Sequence, residues 1–232
     1  MVDGLLSLFG ALIAPRRCAF CIGVAPDRPF CDGCRDSLPW NRSACPVCAL
    51  PQKTGVAHVC ASCATNAPQY DLAWSAFRYE APIDQAIHGL KYHAQFRHAR
   101  LLGAAMADAL AQRALPLPDL LLPMPLHPHR LRQRGYNQAL ELARGITRLL
   151  KIDIDVGSAR RTRATADQIG QRAAARRRNV KGVFAADASL QGIHLAIVDD
   201  VMTTGSTVDE LARACRAAGA ARIEVWTAAR AV

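Results

Sequence analysis

Toward the C-terminal end of the chain two adjacent carboxylates, Asp199 and Asp200, precede a run of hydroxyls around one glycine: Thr203, Thr204, Gly205, Ser206 and Thr207. The residues before them, 194–198 (HLAIV), form an apolar strand pattern, and 206–218 has helical periodicity. A helix N-terminus presents free N–H groups and the positive end of its dipole to a phosphate. Gly205 permits close backbone approach, and the hydroxyls add donors. Carboxylates do not favour that phosphate, so the pair is expected to address ribose hydroxyls or a bound Mg²⁺. The plainer alternative is an ordinary helix start capped by Ser206 and Glu210.

The second chemical constellation is built of thiols. Eight of the nine cysteines fall in four C-x-x-C pairs: Cys18/Cys21, Cys31/Cys34, Cys45/Cys48 and Cys60/Cys63. Each pair can give one metal two thiolates, so eight ligands suit two four-thiolate Zn²⁺ sites of structural type. Consecutive pairing is the simplest arrangement, and a crossed one is the alternative. Gly23, Gly33 and Pro46 lie at or near the pairs, where tight turns are wanted. Disulfides would need an oxidising compartment, and a redox or iron–sulfur role is the other competing use. Cys215, on the last helix, reads as buried core.

These groups need elements to hold them. After a linker around 66–70, strands are expected at 72–79, 119–124, 152–156, 194–198 and 223–227, with helical material at 83–112, 137–150 and 206–218. This alternation predicts an α/β fold: a twisted, mainly parallel sheet flanked by helices. The cysteine-rich residues 1–66 would form a separate N-terminal helix and zinc module, and 67–232 the α/β domain. Residues 4–15 are apolar but too short to span a bilayer, and read as a short amphipathic helix. No other stretch approaches a membrane span.

The net charge of +10 is concentrated: residues 127–181 hold fourteen Lys/Arg against four Asp/Glu, and the remainder is balanced. Such a local positive field suits a polyanion, either nucleic acid or a polyphosphate. The turn at 124–135 follows a strand end, as a pyrophosphate-binding loop would, with Met124, Pro125, Leu126 and His127 leading to Arg130, Arg132 and Arg134. The stretch 160–181 contains Arg163, Gln168, Arg172, Arg176, Arg177, Arg178 and Asn179. It has the composition of a hood closing over a phosphorylated ligand, or of a segment tracking a nucleic-acid backbone. Tyr92 and Tyr136 can serve either as stacking platforms for bases or as ordinary packing residues.

The strand–DDVMTTGST–helix series resembles the type I phosphoribosyltransferase motif DDxxTTGxT. That resemblance implies binding of phosphoribosyl pyrophosphate (PRPP) with Mg²⁺, Asp199 and Asp200 at the ribose and 203–207 at the 5-phosphate. The stretch 122–138 (LPMPLHPHRLRQRGYNQ) is similar to the PxPLHxxRxxxRGxNQ segment of the ComF family. Further matches are 77–80 (FRYE), 90–92 (LKY), Thr165 with Gln168, 176–180 (RRRNV) and 224–226 (EVW). That family joins a double zinc ribbon to a type I phosphoribosyltransferase-like domain. The resemblance implies a protein of natural competence and DNA uptake that handles single-stranded DNA. It implies a cytoplasmic location, with peripheral association at the inner membrane, and partners such as a competence helicase or membrane channel proteins. An active phosphoribosyltransferase and a PRPP-sensing regulator are the alternatives.

Overall fold

The computed structural model describes residues 17–18, 20–25, 30–53, 55–163 and 181–232. The expected helix at 4–15 lies outside them. Contacts divide the chain into two compact units, Met1–Pro39 and Trp40–Val232.

The first unit carries a short helix α1 (Asp32–Ser37). The second opens with another, α2 (Ala61–Thr65), and continues as β1 (Leu72–Arg78), α3 (Ile83–His93), α4 (Phe96–Ala111) and β2 (Leu120–Pro123). It then runs through α5 (Pro128–Arg134), α6 (Gln138–Leu150), β3 (Asp153–Ile154), β4 (Ala159–Arg161) and β5 (Phe184–Ala186). The last elements are β6 (His194–Met202), α7 (Ser206–Ala217) and β7 (Arg222–Arg230).

Five strands form one parallel sheet in the order β1-β7-β6-β2-β3, as the alternating pattern predicts. Leu195 and Ile197 of β6 join the core cluster with Val208, Leu211 and Cys215 of α7. Strand alternation turns Ala196 and Val198 to the other face. Helices α4 and α6 pack tightly against each other: a Cβ built on Gly103 of α4 would lie 2.7 Å from the Leu142 carbonyl oxygen and 2.8 Å from the Gly145 Cα of α6. A buried carboxylate sits near the strand starts. Glu224, fully buried, accepts from the Trp226 indole N–H at 2.9 Å and from Arg113 and Arg222 at 3.2 Å each, with His194 at 3.3 Å. Such a group is tolerable only because cations and donors surround it.

Several expectations change. The helical stretch 83–112 is two helices, broken where Ala94 adopts a left-handed conformation. The segment 124–135 is not simply a turn: Pro128 opens α5 at its first position and Gly135, at φ 79°, closes it. Strands β6 and β7 extend well past 198 and 227. An antiparallel ribbon, β4–β5, was not foreseen at all; its register is Ala159↔Ala186, Arg160↔Ala185 and Arg161↔Phe184.

The second cysteine segment is built onto the sheet edge. The β1 strand would otherwise expose a row of backbone groups. Instead Ala73 N–H donates to Val47 O at 2.8 Å, Asn41 N–H donates to Ala76 O at 2.9 Å, and Trp40 packs on Phe77 with ring centroids 4.4 Å apart.

Candidate functional site

In an open parallel sheet, ligands bind beyond the strand C-terminal ends where the winding direction reverses. Here that point lies between β6, whose chain continues through α7 to β7 on one side, and β2, whose chain continues through α6 to β3 on the other. The loops leaving these two strands are the ones the sequence singled out, 203–205 and 124–127.

Asp199 and Asp200 are themselves the last part of β6, not residues beyond its end. Asp200 is buried and pairs with Lys91 of α3, Nζ to Oδ1 at 3.0 Å. The same Oδ1 accepts the Val201 N–H at 2.7 Å, while Oδ2 is buried with no hydrogen-bond partner among the described residues. Asp199, half-buried, accepts the Asp200 N–H at 2.9 Å. Burial first, and then the neighbouring Asp200 charge, pushes the Asp199 carboxyl up to about 7, against the pull of Lys91 and Arg161. Burial would depress Lys91, but the two carboxylates outweigh it and hold the ammonium above its ordinary value. The acid pair thus has one direct ion pair, Lys91 to Asp200, and a more distant cation, Arg161, and these do not offset the cost of charging Asp199.

Beyond the pair, Gly205 at φ 77° turns the chain into α7, a left-handed conformation that suits glycine. The Thr204 and Ser206 hydroxyls lie 2.8 Å apart on the exposed rim. The Ser206/Glu210 capping alternative does not form. Gly205 is the N-cap without a side-chain bond, and Glu210 instead accepts from Arg213 and, at 2.6 Å, from Gly182 N–H. The loop is tied down from below by buried Arg230. Its guanidinium donates to the carbonyls of Cys48 and Met202 at 3.0 Å each, and to that of Thr203.

Of the 124–135 residues, Met124 is buried against β6, its N–H donating to Val198 O at 2.8 Å. Pro125 and Leu126 are half-buried. His127 caps α5, its Nδ1 accepting the His129 N–H at 3.2 Å. Arg130 and Arg134, one turn apart, line a common cavity; Arg132 is exposed and does not join them. Arg163 donates to Lys181 O at 2.6 Å and so ties together the ends of the segment it was expected to arm. Gln168, Arg172, Arg176, Arg177, Arg178 and Asn179 lie outside the described residues. Sequence reading missed two charged neighbours of the acid pair, Lys91 and Arg161. The LKY triplet was the signal for the first, and the Arg160–Arg161 doublet just before the basic stretch for the second.

The thiols gather as consecutive pairs, Cys18/Cys21/Cys31/Cys34 and Cys45/Cys48/Cys60/Cys63, with all Sγ atoms of each group within 4.8 Å of one another. Zinc–sulfur bonds of about 2.3 Å in a tetrahedron put sulfurs about 3.8 Å apart. The observed Cys21–Cys31 and Cys48–Cys60 separations are 3.6 and 3.7 Å. Both sites therefore fit structural Zn²⁺, with every position filled by thiolate. They share one plan. The Ile22 N–H returns to Cys18 O and the Ala49 N–H to Cys45 O, each at 2.9 Å, while Cys31 and Cys60 are the N-caps of α1 and α2. The left-handed residue of each turn is Ile22 or Ala49, not a glycine.

A double zinc ribbon and a parallel α/β sheet carrying an acid pair and a hydroxyl-rich loop define the class of protein. Residues 9–64 match the double zinc ribbon domain family model. The DNA utilization protein YhgH of Escherichia coli and of Salmonella typhi are each 35% identical over 206 residues, covering 87% of this chain and 90% of theirs. Competence protein F of Haemophilus influenzae is 34% identical over 225 residues, covering 93% and 97%. The chain belongs to this ComF family of competence and DNA utilization proteins. Among solved structures, glutamine PRPP amidotransferase of B. subtilis aligns over 56% of this chain at 20% identity with a TM-score of 0.39. The match spans about a quarter of that enzyme, 26% of its length. No helix among the described residues is long and apolar enough to cross a membrane.

Proposed function

We propose that the α/β unit binds PRPP with Mg²⁺ at the β6–β2 switch point, within a protein that handles single-stranded DNA during uptake or utilization. The observation that carries the PRPP reading is buried Asp200 beside Asp199, with an Oδ2 that has no hydrogen-bond partner among the described residues, and with Lys91 ion-paired to Asp200 and Arg161 near Asp199 as cationic neighbours. Ribose hydroxyls or Mg²⁺ supply the missing donors or charge. The 5-phosphate is assigned to 203–207 at the start of α7, and the pyrophosphate to the 124–127 loop with Arg130 and Arg134. Asp199 and Asp200 are the residues that would hold Mg²⁺, which would supply positive charge to the pyrophosphate.

The DNA reading is supported by the relatives' names, competence and DNA utilization, and by the concentrated positive charge of 127–181. It carries with it action on the cytoplasmic side and contacts with a competence helicase or membrane channel proteins. The half-neutralised acid pair also favours a second reading, retained phosphoribosyl transfer to a nitrogen nucleophile; a PRPP-sensing regulator would keep binding alone. Incubating zinc-loaded protein with PRPP, Mg²⁺ and a panel of nucleobases separates them. Pyrophosphate release supports transfer. Binding without turnover, together with single-strand binding that weakens on Arg176–Arg178→Ala, supports DNA handling. Absence of both PRPP and DNA binding would sink the proposal.

A further inference from the structure

Lys91 faces two ways. Its ammonium holds Asp200, and it also lines a cavity of about 310 Å³ between the end of α3 and helix α5. A cavity of that size is at the lower end for a small-ligand site, about 300 Å³, and has room for one nucleotide. Its wall combines the cations Lys91, Arg130 and Arg134 with the tyrosines Tyr92 and Tyr136, and no carboxylate is among the described lining residues. Burial and the adjacent Arg134 charge hold the Arg130 guanidinium below its ordinary value.

The two tyrosines are placed differently. Tyr136 is anchored: its hydroxyl donates to Leu90 O, and its ring meets Phe96 edge-on at 4.9 Å. Tyr92 is 58% exposed, an unusual position for an aromatic ring, and is braced by His88 at 4.7 Å. The Arg134 Cζ stands 5.9 Å from the Tyr92 centroid, further than a direct stacking contact. Arg134 is itself held by Gln138, Nη1 to Oε1 at 2.6 Å. An exposed ring held in place beside guanidiniums is the pairing used to grip unpaired bases and their phosphates. A free pyrophosphate needs the cations but has no use for the ring.

We infer that this cavity takes one nucleotide of single-stranded DNA, its base against Tyr92 and its phosphate between Arg130 and Arg134, the two guanidiniums also assigned to the pyrophosphate of PRPP, with Lys91 joining that nucleotide site to the Asp199/Asp200 pair. The inference rests on the DNA-handling reading above and gives it an address.

The test uses the full-length zinc-loaded protein and a fluorescein-labelled oligo(dT), read by anisotropy over a salt series, with PRPP·Mg²⁺ affinity measured on the same preparations. Tyr92→Ala should weaken oligonucleotide binding about 5- to 100-fold and leave PRPP affinity unchanged, because stacking on one ring is lost. Tyr92→Phe should bind like the parent. Arg134→Gln should lower the salt slope by about one phosphate contact. Unbound dTMP should compete with the oligonucleotide for the parent protein and not for Tyr92→Ala. Parent-like oligonucleotide binding by both Tyr92→Ala and Arg134→Gln would overturn the cavity assignment while leaving DNA handling intact. Parent-like DNA binding by Arg134→Gln alongside a loss of PRPP affinity would confine Arg134 to the pyrophosphate and overturn the nucleotide assignment. No oligonucleotide binding by the parent, whether or not it binds PRPP, would remove the DNA reading and this inference together.

Discussion

Replacing Asp199 by Asn should make the ligand-free protein more stable at pH 8 and no more stable at pH 4. The Asp199 carboxyl is lifted from an ordinary 3.8 to about 7 by burial and by Asp200. A group whose folded pKa is raised binds more protons when folded than when unfolded across that window, so stability falls as pH rises from about 4 to about 7. At 1.36 kcal/mol per pH unit, the distance from 3.8 to about 7 gives a ceiling of about 4 kcal/mol. Asp199 is only half-buried, and water screening reduces the expected gain to about 1–2 kcal/mol. Asn keeps the oxygen that accepts the Asp200 N–H and removes the second charge from a pair in which Lys91 and Arg161 do not offset the cost of charging Asp199. For a domain of this size about 2–4 °C accompanies each kcal/mol, so Tm should rise by about 2–8 °C at pH 8. Matched thermal melts of parent and Asp199→Asn from pH 4 to 8, without PRPP, give the difference curve directly. A difference that stays flat with pH, or a variant less stable than the parent at pH 8, would refute the account of the acid pair.

Further expectations concern the scaffold. Gly103→Ala places a Cβ against the backbone of α6, and denaturant titration should show a loss of about 2–3 kcal/mol. Arg230→Met removes a buried guanidinium that donates to the carbonyls of Cys48, Met202 and Thr203; it should cost about 1–3 kcal/mol by the same assay, and weaken PRPP binding through the 203–207 loop. Metal analysis should find two zinc ions per chain and one in either Cys18→Ser/Cys21→Ser or Cys45→Ser/Cys48→Ser. The latter should lower Tm and PRPP affinity together, because its knuckle is bonded to β1 and to Arg230; the former should leave PRPP binding intact.

Much of this was legible because it rests on local rules. The run HLAIV before two aspartates is a buried parallel strand in any reading, and four C-x-x-C pairs at that density point to zinc. What escaped was tertiary in origin. Ala94 in a left-handed conformation breaks a helical pattern without any glycine to announce it. Pro128 and Gly135 are start and stop signals for α5, but the helix between them is under two turns and its arginines suggested a loop. Arg230 looks like the polar end of a strand, yet it is buried, with four carbonyls, those of Cys48, Met202, Thr203 and Ala231, accepting from its guanidinium. Asp200 and Lys91 lie far apart in sequence, and no spacing rule links them; only the approach of α3 to the end of β6 does. The left-handed turns of the zinc knuckles fall on Ile22 and Ala49, one residue before or well away from the glycines that turn chemistry favours.

The central claim is that the acid pair and the hydroxyl-rich loop hold PRPP. Titration calorimetry of zinc-loaded protein with PRPP and Mg²⁺ tests it, run near pH 7 in two buffers of different ionisation enthalpy. The account predicts saturable binding at one site per chain, with proton release as Asp199 ionises, and affinity that falls as pH drops below about 7. Asp199→Asn should bind at least about 10-fold more weakly without the proton signal, and Asp200→Asn more weakly still, since one lost charged contact is worth about 1.5–3 kcal/mol. Folded, zinc-loaded parent protein that shows no heat with PRPP and Mg²⁺, or variants that bind as well as the parent, would contradict it.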